Sequence, residues 1–567
     1  MSELVTAAQM RAIEQEAIAS GEVTGLELME RAGQGVVDAI YEAWPELTEG
    51  AHSTVILCGP GNNGGDGFVI ARLLAARGWS VEVFFYGEVS KLPPDARVNY
   101  DRWVEIGEVA PMEPARAALG TRPRILVDAM FGTGLSRPIP TDCARTFRAV
   151  EAREVPDTDH RWHSPFGRIA VDCPSGWDCD GGSYLLPSPP EDLREDDFGA
   201  FLKGEVNPRV LPTDLCVTFH RAKLGHYLDE VSRSRPVVVD IGLPEGPPPA
   251  MPALYPDTTD PRTRLICPAP DDMSEVRVWL SGLYDFLSRP AHKYERGHAL
   301  ILGGGPGHGG AARLAARAAL RVGAGLVTLG VPGEAMAQNA AQLTAIMLRE
   351  IGTPEALSDA LADPRLGSVC LGPGLGVTQR TRDLVAAALV PDEGESRAVV
   401  LDADALTAFA QDPDALFAQC HTRTVLTPHE GEFARLFPDL GEKVRRRDSA
   451  KPGLSKVEAV RTAAQRAGAT VLLKGAATVI ASPDGLTTIH AALYERRAAW
   501  LGTAGAGDVL AGLIAGLLAP PKAAMTLHQR VEAAAFLHTE AARSFGPGLI
   551  AEDLPEELPK VFRALGL

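Results

Sequence analysis

The chain has 567 residues, of which 45% are hydrophobic and 23% are charged, and its formal net charge is −18. This length favours two domains, because a single hydrophobic core rarely grows beyond about 250–300 residues. The negative charge argues against a nucleic-acid-binding surface, which needs clustered Lys and Arg. The eight cysteines include no CxxC pair, which favours reduced thiols in the cytosol over disulfides or zinc. The sequence shows neither a signal peptide nor an apolar run of the roughly 20 residues that span a bilayer. We therefore expect a cytoplasmic protein.

The first half of the chain alternates short apolar strands with helical stretches such as Asp66–Arg77. This order predicts a parallel sheet with helices on both faces, a Rossmann-like three-layer sandwich. A Pro- and Asp-rich stretch then separates the halves, so we expect domains at 1–245 and 285–567 with a linker at 246–284. Residues 187–212 look like a polar surface insertion. The predicted strands are Thr54–Cys58, Ser80–Tyr86, Arg124–Asp128, Arg168–Asp172, Asp214–Phe219 and Pro236–Ile241.

A glycine-rich loop, residues 59–67, follows the first of these strands and precedes a helix. It contains the GxGxxG spacing of a dinucleotide-binding Rossmann fold. Asn62, Asn63 and Asp66 argue against that interpretation, because a pyrophosphate prefers bare amides to a fixed negative charge. Two amides and a carboxylate suit the hydrogen bonds of a sugar or an amide, or a hard cation.

Two further polar loops follow strands that are expected to end at the same edge of the sheet. One begins at Asp128, and the other is Asp172-Cys-Pro-Ser-Gly176. Asn63, Asp128 and Ser175 could converge there as oxygen ligands of a cation. The alternative is that Asp128 and Asp172 only form turns or caps.

The second half is a second α/β unit with a helix at 311–322 and another at 528–544. Its loop 303–310 again contains GxGxxG, but no acidic residue ends the next strand, and no Walker sequence occurs. A nucleotide bound here would therefore be held without a P-loop. The predicted strands are His298–Leu302, Leu326–Val331, Ser368–Leu371, Ala398–Leu401, Thr424–Leu426 and Thr470–Leu473.

The stretch 504–512, Ala-Gly-Ala-Gly-Asp-Val-Leu-Ala-Gly, is the strongest chemical signal in this half. Two glycines precede a helix whose free N–H groups attract phosphate. Asp508 is a carboxylate at that position and hence a candidate acid/base, with an N-cap role as the alternative. Lys474 and Thr478 can hold phosphates, and His429 is placed to recognise a ligand.

The first half resembles the NAD(P)H-hydrate epimerase domain over about residues 1–245. The motifs that carry the resemblance are Thr6–Met10, Leu28–Gly33, the NNGGDG loop, the FGTG loop, DCPSG and Thr218–Gly225. The resemblance implies that Asp172 is the acid/base and that Asn63, Asp128 and Ser175 bind potassium. It also implies a binding site for the hydrated nicotinamide nucleotide formed by Asn62, Asn63, Gly64, Gly65, Asp66, Gly132, Thr133, Gly134, Leu135, Ser136, Arg137, Pro138 and Asp172.

The second half resembles the ribokinase-like fold, and specifically the ADP-dependent NAD(P)H-hydrate dehydratase domain, over about residues 285–567. The motifs are 319–326, 372–376, 401–404, 427–433, 474–478 and 504–512. The resemblance implies a substrate site at Ala324, Gly374, His429 and Asp508. It implies nucleotide contacts from Lys474, Gly475, Ala476, Ala477, Thr478, Gly505 and Gly507. ADP with Mg²⁺ is the expected nucleotide, with ATP as the alternative, and homo-oligomers are expected.

Together these resemblances imply a bifunctional enzyme, an isomerase and a lyase, that repairs hydrated nicotinamide cofactors. The first domain would interconvert the R and S hydrates of NADH and NADPH. The second would dehydrate the S form while ADP becomes AMP and phosphate, with Asp508 taking the hydroxyl proton. A vitamin kinase of the ribokinase type, with a non-catalytic N-terminal binding domain, is the alternative.

Overall fold

The computed structural model describes residues 2–112, 124–140, 142–144, 146–147, 167–185, 213–245, 262–266, 274–283, 292–391, 397–445, 454–520 and 525–567. The chain divides into two compact units. One consists mainly of residues 3–252, and the other mainly of residues 253–567. Among the described residues, no helix is both long enough and apolar enough to cross a bilayer.

The first unit is built on a seven-stranded sheet in which every neighbouring pair is parallel. Its order is β10-β9-β6-β5-β2-β3-β4. The strands β2 to β4 are added towards one edge of the sheet and the strands from β5 onwards towards the other, so the strand order reverses between β2 and β5. The strands of this unit, with a short N-terminal strand β1 and a small hairpin β7–β8, are β1 Ser2–Leu4, β2 Ser53–Cys58, β3 Ser80–Phe85, β4 Val109–Pro111, β5 Ile125–Ala129, β6 Gly167–Val171, β7 Trp177–Asp178, β8 Ser183–Tyr184, β9 Leu215–Phe219 and β10 Val237–Val239.

Both faces of this sheet are covered. Ile56 of β2 packs into one buried cluster, and its neighbours Val55 and Leu57 pack into another on the opposite face. Such continuous burial explains why the strands are nearly uninterrupted apolar runs. Four helices precede or follow these strands: α1 Ala7–Ser20, α2 Gly25–Ala43, α3 Asn62–Ala76 and α4 Pro94–Val104.

The second unit contains a mixed sheet ordered β11-β20-β19-β18-β17-β16-β15-β12-β13-β14. Strands β18, β19 and β20 form an antiparallel meander, and the other neighbouring pairs are parallel. The strands are β11 Thr263–Ile266, β12 His298–Leu302, β13 Leu326–Val331, β14 Met347–Glu350, β15 Leu366–Leu371, β16 Ala398–Leu401, β17 Thr424–Leu426, β18 Thr470–Leu473, β19 Ala477–Ala481 and β20 Thr487–Ala491.

Helices surround this sheet, and two of them approach each other closely. These are α5 Ser274–Trp279, α6 Gly310–Arg321, α7 Met336–Ala340, α8 Pro354–Leu361, α9 Gln379–Leu389, α10 Asp404–Thr407, α11 Pro413–Phe417, α12 Glu430–Leu436, α13 Pro438–Arg445, α14 Lys456–Ala467, α15 Ala506–Leu518, α16 Leu527–Phe545 and α17 Asp553–Leu565. A Cβ on Gly512 would lie 2.1 Å from the Ala315 carbonyl oxygen, so α15 needs glycine where it meets α6. This packing fixes the start of α15, where Asp508 lies.

The predicted α/β class with two sheets is confirmed, and five strand ranges of the second half match to the residue. Two differences stand out. The strand β11 and the helix α5 lie inside the segment that the sequence suggests is a linker, because a four-residue strand is too short to show a period. The edge strand β14 was also missed because its side chains are mostly exposed. The predicted insertion at 187–212 lies outside the described residues, and the exact domain boundaries stay a prediction.

Candidate functional site

The NNGGDG loop of the first unit forms the start of α3 at the carboxyl end of β2. Gly61 is the N-cap residue, and no side chain caps the helix, so the first N–H groups are open to a ligand. Gly64 and Gly65 are needed for packing. A Cβ on Gly64 would lie 2.0 Å from the Gly59 carbonyl oxygen, and one on Gly65 would lie 2.5 Å from the Met29 sulfur.

Asp128 and Ser175 meet across neighbouring strand ends, as the sequence predicts. The Ser175 hydroxyl donates to Asp128 Oδ1 at 2.6 Å, and the Ser175 N–H donates to Oδ2 at 2.9 Å. Burial raises the pKa of Asp128, and the groups that oppose this rise are neutral donors from Ser175 and Met130. A buried carboxylate with neutral partners favours a bound cation.

Asp172 is the centre of the polar cluster in this unit. Its backbone has a φ of 67°, an uncommon conformation for a residue other than glycine. The side chain accepts hydrogen bonds from Lys223 Nζ at 2.9 Å, from the Thr218 hydroxyl at 3.0 Å and from the Thr133 N–H at 2.9 Å. Burial by itself would raise the pKa of Asp172, but the Lys223 ammonium and the Thr133 N–H lower it to about 2. Asp172 is therefore an ionised carboxylate at neutral pH.

A second carboxyl group, Asp66, has its pKa shifted in the opposite direction. Burial, with the nearby charges of Asp172 and Glu14, raises its pKa well above the ordinary range. The pKa values of the two aspartates are thus shifted apart, because Asp172 has an ammonium partner in Lys223. Two carboxyl groups with pKa values shifted in opposite directions are suited to donate and accept protons in the same reaction.

Gly132 connects the predicted residues of this site. A Cβ at Gly132 would lie 2.9 Å from Asp172 Oδ2 and 3.0 Å from Asn63 Oδ1. The structure therefore places the FGTG loop, Asn63 and Asp172 together. Asn63 Nδ2 is buried without a hydrogen-bond partner, which leaves the amide available to a ligand. The rest of the predicted loop, including Leu135, Ser136, Arg137 and Pro138, is half-buried or exposed.

Among the described residues, no group of three or more His, Cys, Asp or Glu side chains is arranged to hold a metal ion. The predicted potassium ligands are one carboxylate, one amide and one hydroxyl, so a search for groups of His, Cys, Asp and Glu does not test them. Oxygen donors of this kind suit a hard cation.

In the second unit, Asp508 lies in the first turn of α15. The N-cap is Gly505, with a φ of 90°, so the N-cap alternative for Asp508 is excluded. Burial, together with the negative charges of Asp402 and Asp404, raises the pKa of Asp508 to about 6, although Lys474 opposes the rise. A carboxyl group with that pKa exchanges protons readily near neutral pH.

Lys474 links the nucleotide loop to two further carboxylates. Its ammonium donates to Asp402 Oδ1 at 2.7 Å and lies 3.9 Å from Glu432 Oε2. It is also 3.4 Å from the position of a Cβ on Gly507. Asp402 follows β16, and Glu432 lies in α12, so three strand-end segments meet at this ammonium. Asp402 is a functional candidate that the sequence analysis does not single out, although its position next to the end of a buried strand is the same signal that selects Asp128.

The predicted nucleotide loop has an exposed tip and a buried base. Gly475 and Ala476 are exposed, whereas Ala477 and Thr478 already belong to β19. Lys456 Nζ donates to the Ala477 carbonyl oxygen at 2.7 Å and so holds the end of the loop in place. His538, buried on α16, supports the neighbouring loop through a hydrogen bond to the Ala506 backbone. Neither Lys456 nor His538 has a sequence signal that would separate it from an ordinary helical residue.

The predicted substrate residues of this unit divide into two groups. His429 caps α12 by accepting from the Gly431 N–H, and its Nε2 lies 3.5 Å from Glu432 Oε1. Gly374 contacts the loop 303–310, since a Cβ on Gly304 would lie 1.8 Å from its carbonyl oxygen. Both follow the carboxyl ends of parallel strands, as Asp402 does. Ala324 instead precedes β13, at the amino end of that strand, so the structure does not bring it to Asp508 within one chain.

Comparisons with known proteins divide the chain in the same way. The family model described as YjeF-related protein N-terminus matches residues 25–225, and the one described as NAD(P)H-hydrate dehydratase matches residues 299–560. The chain is 32% identical to the bifunctional NAD(P)H-hydrate repair enzyme of Salinibacter ruber, over 98% of this chain and 96% of that protein. It is 34% identical to the corresponding enzyme of Moorella thermoacetica, over 99% and 97%. It is 42% identical to the NAD(P)H-hydrate epimerase of Rhodobacter capsulatus, over 43% of this chain and all of that protein.

Proposed function

Because this chain belongs to the family of bifunctional NAD(P)H-hydrate repair enzymes, we propose that it restores hydrated nicotinamide cofactors at two active sites. The N-terminal site interconverts the R and S hydrates. The C-terminal site dehydrates the S hydrate to NADH or NADPH and converts ADP to AMP and phosphate. The observation that supports this most directly is that each unit has its own cluster of a lysine and aspartates at the carboxyl ends of its strands.

At the N-terminal site, inversion requires that the bond to the added hydroxyl breaks and re-forms on the other face of the ring. The raised pKa of Asp66 favours its neutral form, which can donate a proton to the departing hydroxyl group. Asp172 is ionised and held by Lys223, so its negative charge stabilises the cation that develops on the ring. Asp172 then accepts a proton from the water that adds back, and transfer of that proton to Asp66 through solvent restores both carboxyl groups. The loop 132–138 and the uncapped start of α3 hold the nucleotide.

A potassium ion at Asn63, Asp128 and Ser175 would fit the chemistry of the first site. Asp128 is buried among neutral donors, and the side chains of Asn63 and Ser175 each carry an oxygen of the kind that a hard cation prefers. When bound, the ion would offset the charge of Asp128 and fix the two loops that carry Asp128 and Ser175. Potassium-dependent epimerisation, with sodium or lithium as the substitute ions, tests this assignment.

At the C-terminal site, Asp508 takes the proton of the substrate hydroxyl as its oxygen attacks the terminal phosphoryl group of ADP. The phosphorus–oxygen bond to AMP breaks, and a bond to the substrate oxygen forms. The carbon–oxygen bond then breaks with loss of phosphate, and a proton leaves the adjacent carbon to restore the ring double bond. Lys474 and the first N–H groups of α15 stabilise the charge on phosphate.

The nucleotide binds to the loop Lys474–Thr478, and Gly505 and Gly507 lie close to its phosphates. When bound with the nucleotide, magnesium would offset part of the negative charge of its phosphates. His429 and Gly374 contact the hydrated substrate from the loops that follow the carboxyl ends of β17 and β15. A cytoplasmic location and assembly into homo-oligomers complete the proposal, and gel filtration with light scattering tests the assembly.

One assay tests the proposed function. The protein is mixed with R and S NADPH hydrate, with and without ADP, and the absorbance of the reduced nicotinamide is followed. Recovery of the whole mixture with ADP, and none without it, is the expected result. Recovery of only the S fraction would mean that the N-terminal unit is catalytically silent. No recovery with ADP or ATP, but phosphorylation of a vitamin alcohol, would favour the kinase alternative.

A further inference from the structure

A cavity of about 820 Å³ lies along helix α6 in the second unit. Its walls are α6, the segment 342–346 that follows α7, and α17. A volume of this size is within the range of small-molecule sites, which is about 300–1,000 Å³. None of its lining residues belongs to the predicted substrate or nucleotide sites.

Three arginines give this cavity a positive wall. Arg313, Arg317 and Arg321 recur every fourth residue, so they share one face of α6. Arg317 and Arg321 both pair with Glu556, whereas Arg313 Nη1 donates to the neutral Asn339 Oδ1 at 3.0 Å. Three cations thus face Glu552 and Glu556 in a chain whose net charge is −18. A planar guanidinium fork is well suited to phosphate oxygens.

The remaining wall is apolar and half-buried. Leu343, Ile346 and Phe562 pack against the main hydrophobic core while they still line the cavity. Gln342 and Thr344 lie beside them and supply hydrogen-bonding groups. A flat apolar wall with an aromatic ring next to a row of arginines suits a ligand that has a heteroaromatic base and phosphates.

The cavity begins beside the proposed dehydration site. Leu314, which lines it, has its Cδ1 atom 2.9 Å from the position of a Cβ on Gly505. Gly310, one helical turn before Leu314, also lines the cavity and ends the loop 303–310, which contacts Gly374. A ligand whose reactive ring lies at Asp508 can therefore extend into the cavity.

We propose that this cavity binds the adenosine-phosphate end of the hydrated dinucleotide. The base packs against Leu343, Ile346 and Phe562, and the phosphates pair with Arg313 and Arg317. This inference rests on the proposed dehydration, because it assigns the non-reacting half of the same substrate. The arginines of α6 would then allow the enzyme to distinguish a dinucleotide substrate from a mononucleotide substrate.

The test compares two substrates of the holoenzyme with saturating ADP and Mg²⁺. One is the S hydrate of NADPH, and the other is the corresponding hydrate of reduced nicotinamide mononucleotide, which lacks the adenosine-phosphate end. Arg313→Gln and Arg317→Gln are expected to lower kcat/KM for the dinucleotide about tenfold each, as expected for one charge-assisted hydrogen bond. The mononucleotide kcat/KM and the KM for ADP should not change.

Arg365→Gln is the matched control. The Arg365 side chain is 57% exposed, as is Arg317, and it also pairs with a single carboxylate, Asp363. It should leave both substrates unaffected. ADP-ribose carrying a 2′-phosphate gives a second measurement, because it should inhibit the wild type competitively with the hydrate but not with ADP, and more weakly in Arg313→Gln.

Several outcomes would overturn the inference. An equal loss of kcat/KM for both substrates would show that the arginines act on the fold or on the reacting end. A change in molecular mass by light scattering, with dinucleotide kinetics intact, would show that the cavity is an interface between copies of the chain. If the wild type dehydrates neither hydrate, the proposed function itself fails. If it dehydrates both but the variants do not discriminate between them, only this inference fails.

Discussion

Lys223 Nζ lies 2.9 Å from Asp172 Oδ1, and both side chains are buried. Burial lowers the pKa of an isolated ammonium, but the Asp172 carboxylate reverses this effect and raises the pKa of Lys223. The pair is therefore charged at neutral pH, and the ammonium determines the protonation state of the proposed acid/base. Lys223 belongs to the motif 218–225, yet a lysine four residues after the end of a strand gives no sign that its side chain turns back into the site.

The first prediction concerns this pair. Lys223→Met leaves the Asp172 charge without its partner, so the pKa of Asp172 should rise and R/S interconversion should fall at least a hundredfold, while S-hydrate dehydration continues. Breaking a buried ion pair costs about 3–5 kcal/mol, which should appear in urea unfolding of the first unit. The double variant Lys223→Met/Asp172→Asn should be more stable than Lys223→Met. A single variant as stable as the wild type would contradict the buried pair.

Gly132 provides a second prediction, because an added methyl group would enter the space between Asp172 and Asn63. Gly132→Ala should abolish epimerisation or raise KM for the hydrate more than tenfold, with normal folding by circular dichroism. Gly134→Ala is the matched control, since the nearest atom to its Cβ position is Arg11 Nη1 at 4.0 Å. Similar kinetics for the two variants would place the substrate away from this loop.

The third prediction follows from the pKa of Asp508, which is about 6. If Asp508 is the base, it must be ionised, so kcat for dehydration should fall as the pH drops below about 6 and level off above it. Asp402 is one of the charges that raise this pKa. In Asp402→Asn the acidic limb should therefore move to lower pH, measured at saturating ADP and hydrate. A limb that falls with rising pH would instead make Asp508 a proton donor.

Asp508→Asn separates the two activities and also tests the electrostatics. It should abolish ADP-driven dehydration and leave R/S interconversion intact. Because the pKa of Asp508 in the folded protein, about 6, lies above the ordinary aspartate value of 3.8, the folded protein binds this proton more tightly than the unfolded chain, and stability decreases as the pH rises from about 4 to 6. The neutral asparagine should therefore raise the melting temperature at pH 7. Near-parental dehydration would show that the acid/base assignment is wrong.

The sequence predicts most of the fold because buried parallel strands are short apolar runs that end in polar loops. His298–Leu302 and Leu326–Val331 are found as predicted for this reason. The family assignment from the motifs is likewise confirmed by relatives that match nearly the whole chain. Strand β11 could not be found, because its four residues lie between segments rich in proline and acid.

The sequence predicts the site residues that lie at the end of a strand or just after it, as for Asp128, Asp172 and Lys474. Residues that reach a site from a helix or from a distant turn carry no such signal. Lys223 and Lys456 became visible only through their hydrogen bonds to Asp172 and to the Ala477 carbonyl. The roles of the predicted site residues remain proposals that the variants above test.

The central claim is that one chain carries two independent active sites, and mixing two variants tests it most directly. Asp172→Asn with ADP should recover only the S fraction of an R/S hydrate mixture, and Asp508→Asn should recover none. Equal amounts of both variants together should recover the whole mixture, because each supplies the site that the other lacks. If the mixed variants recover no more than Asp172→Asn alone, the two aspartates do not serve separate epimerase and dehydratase sites.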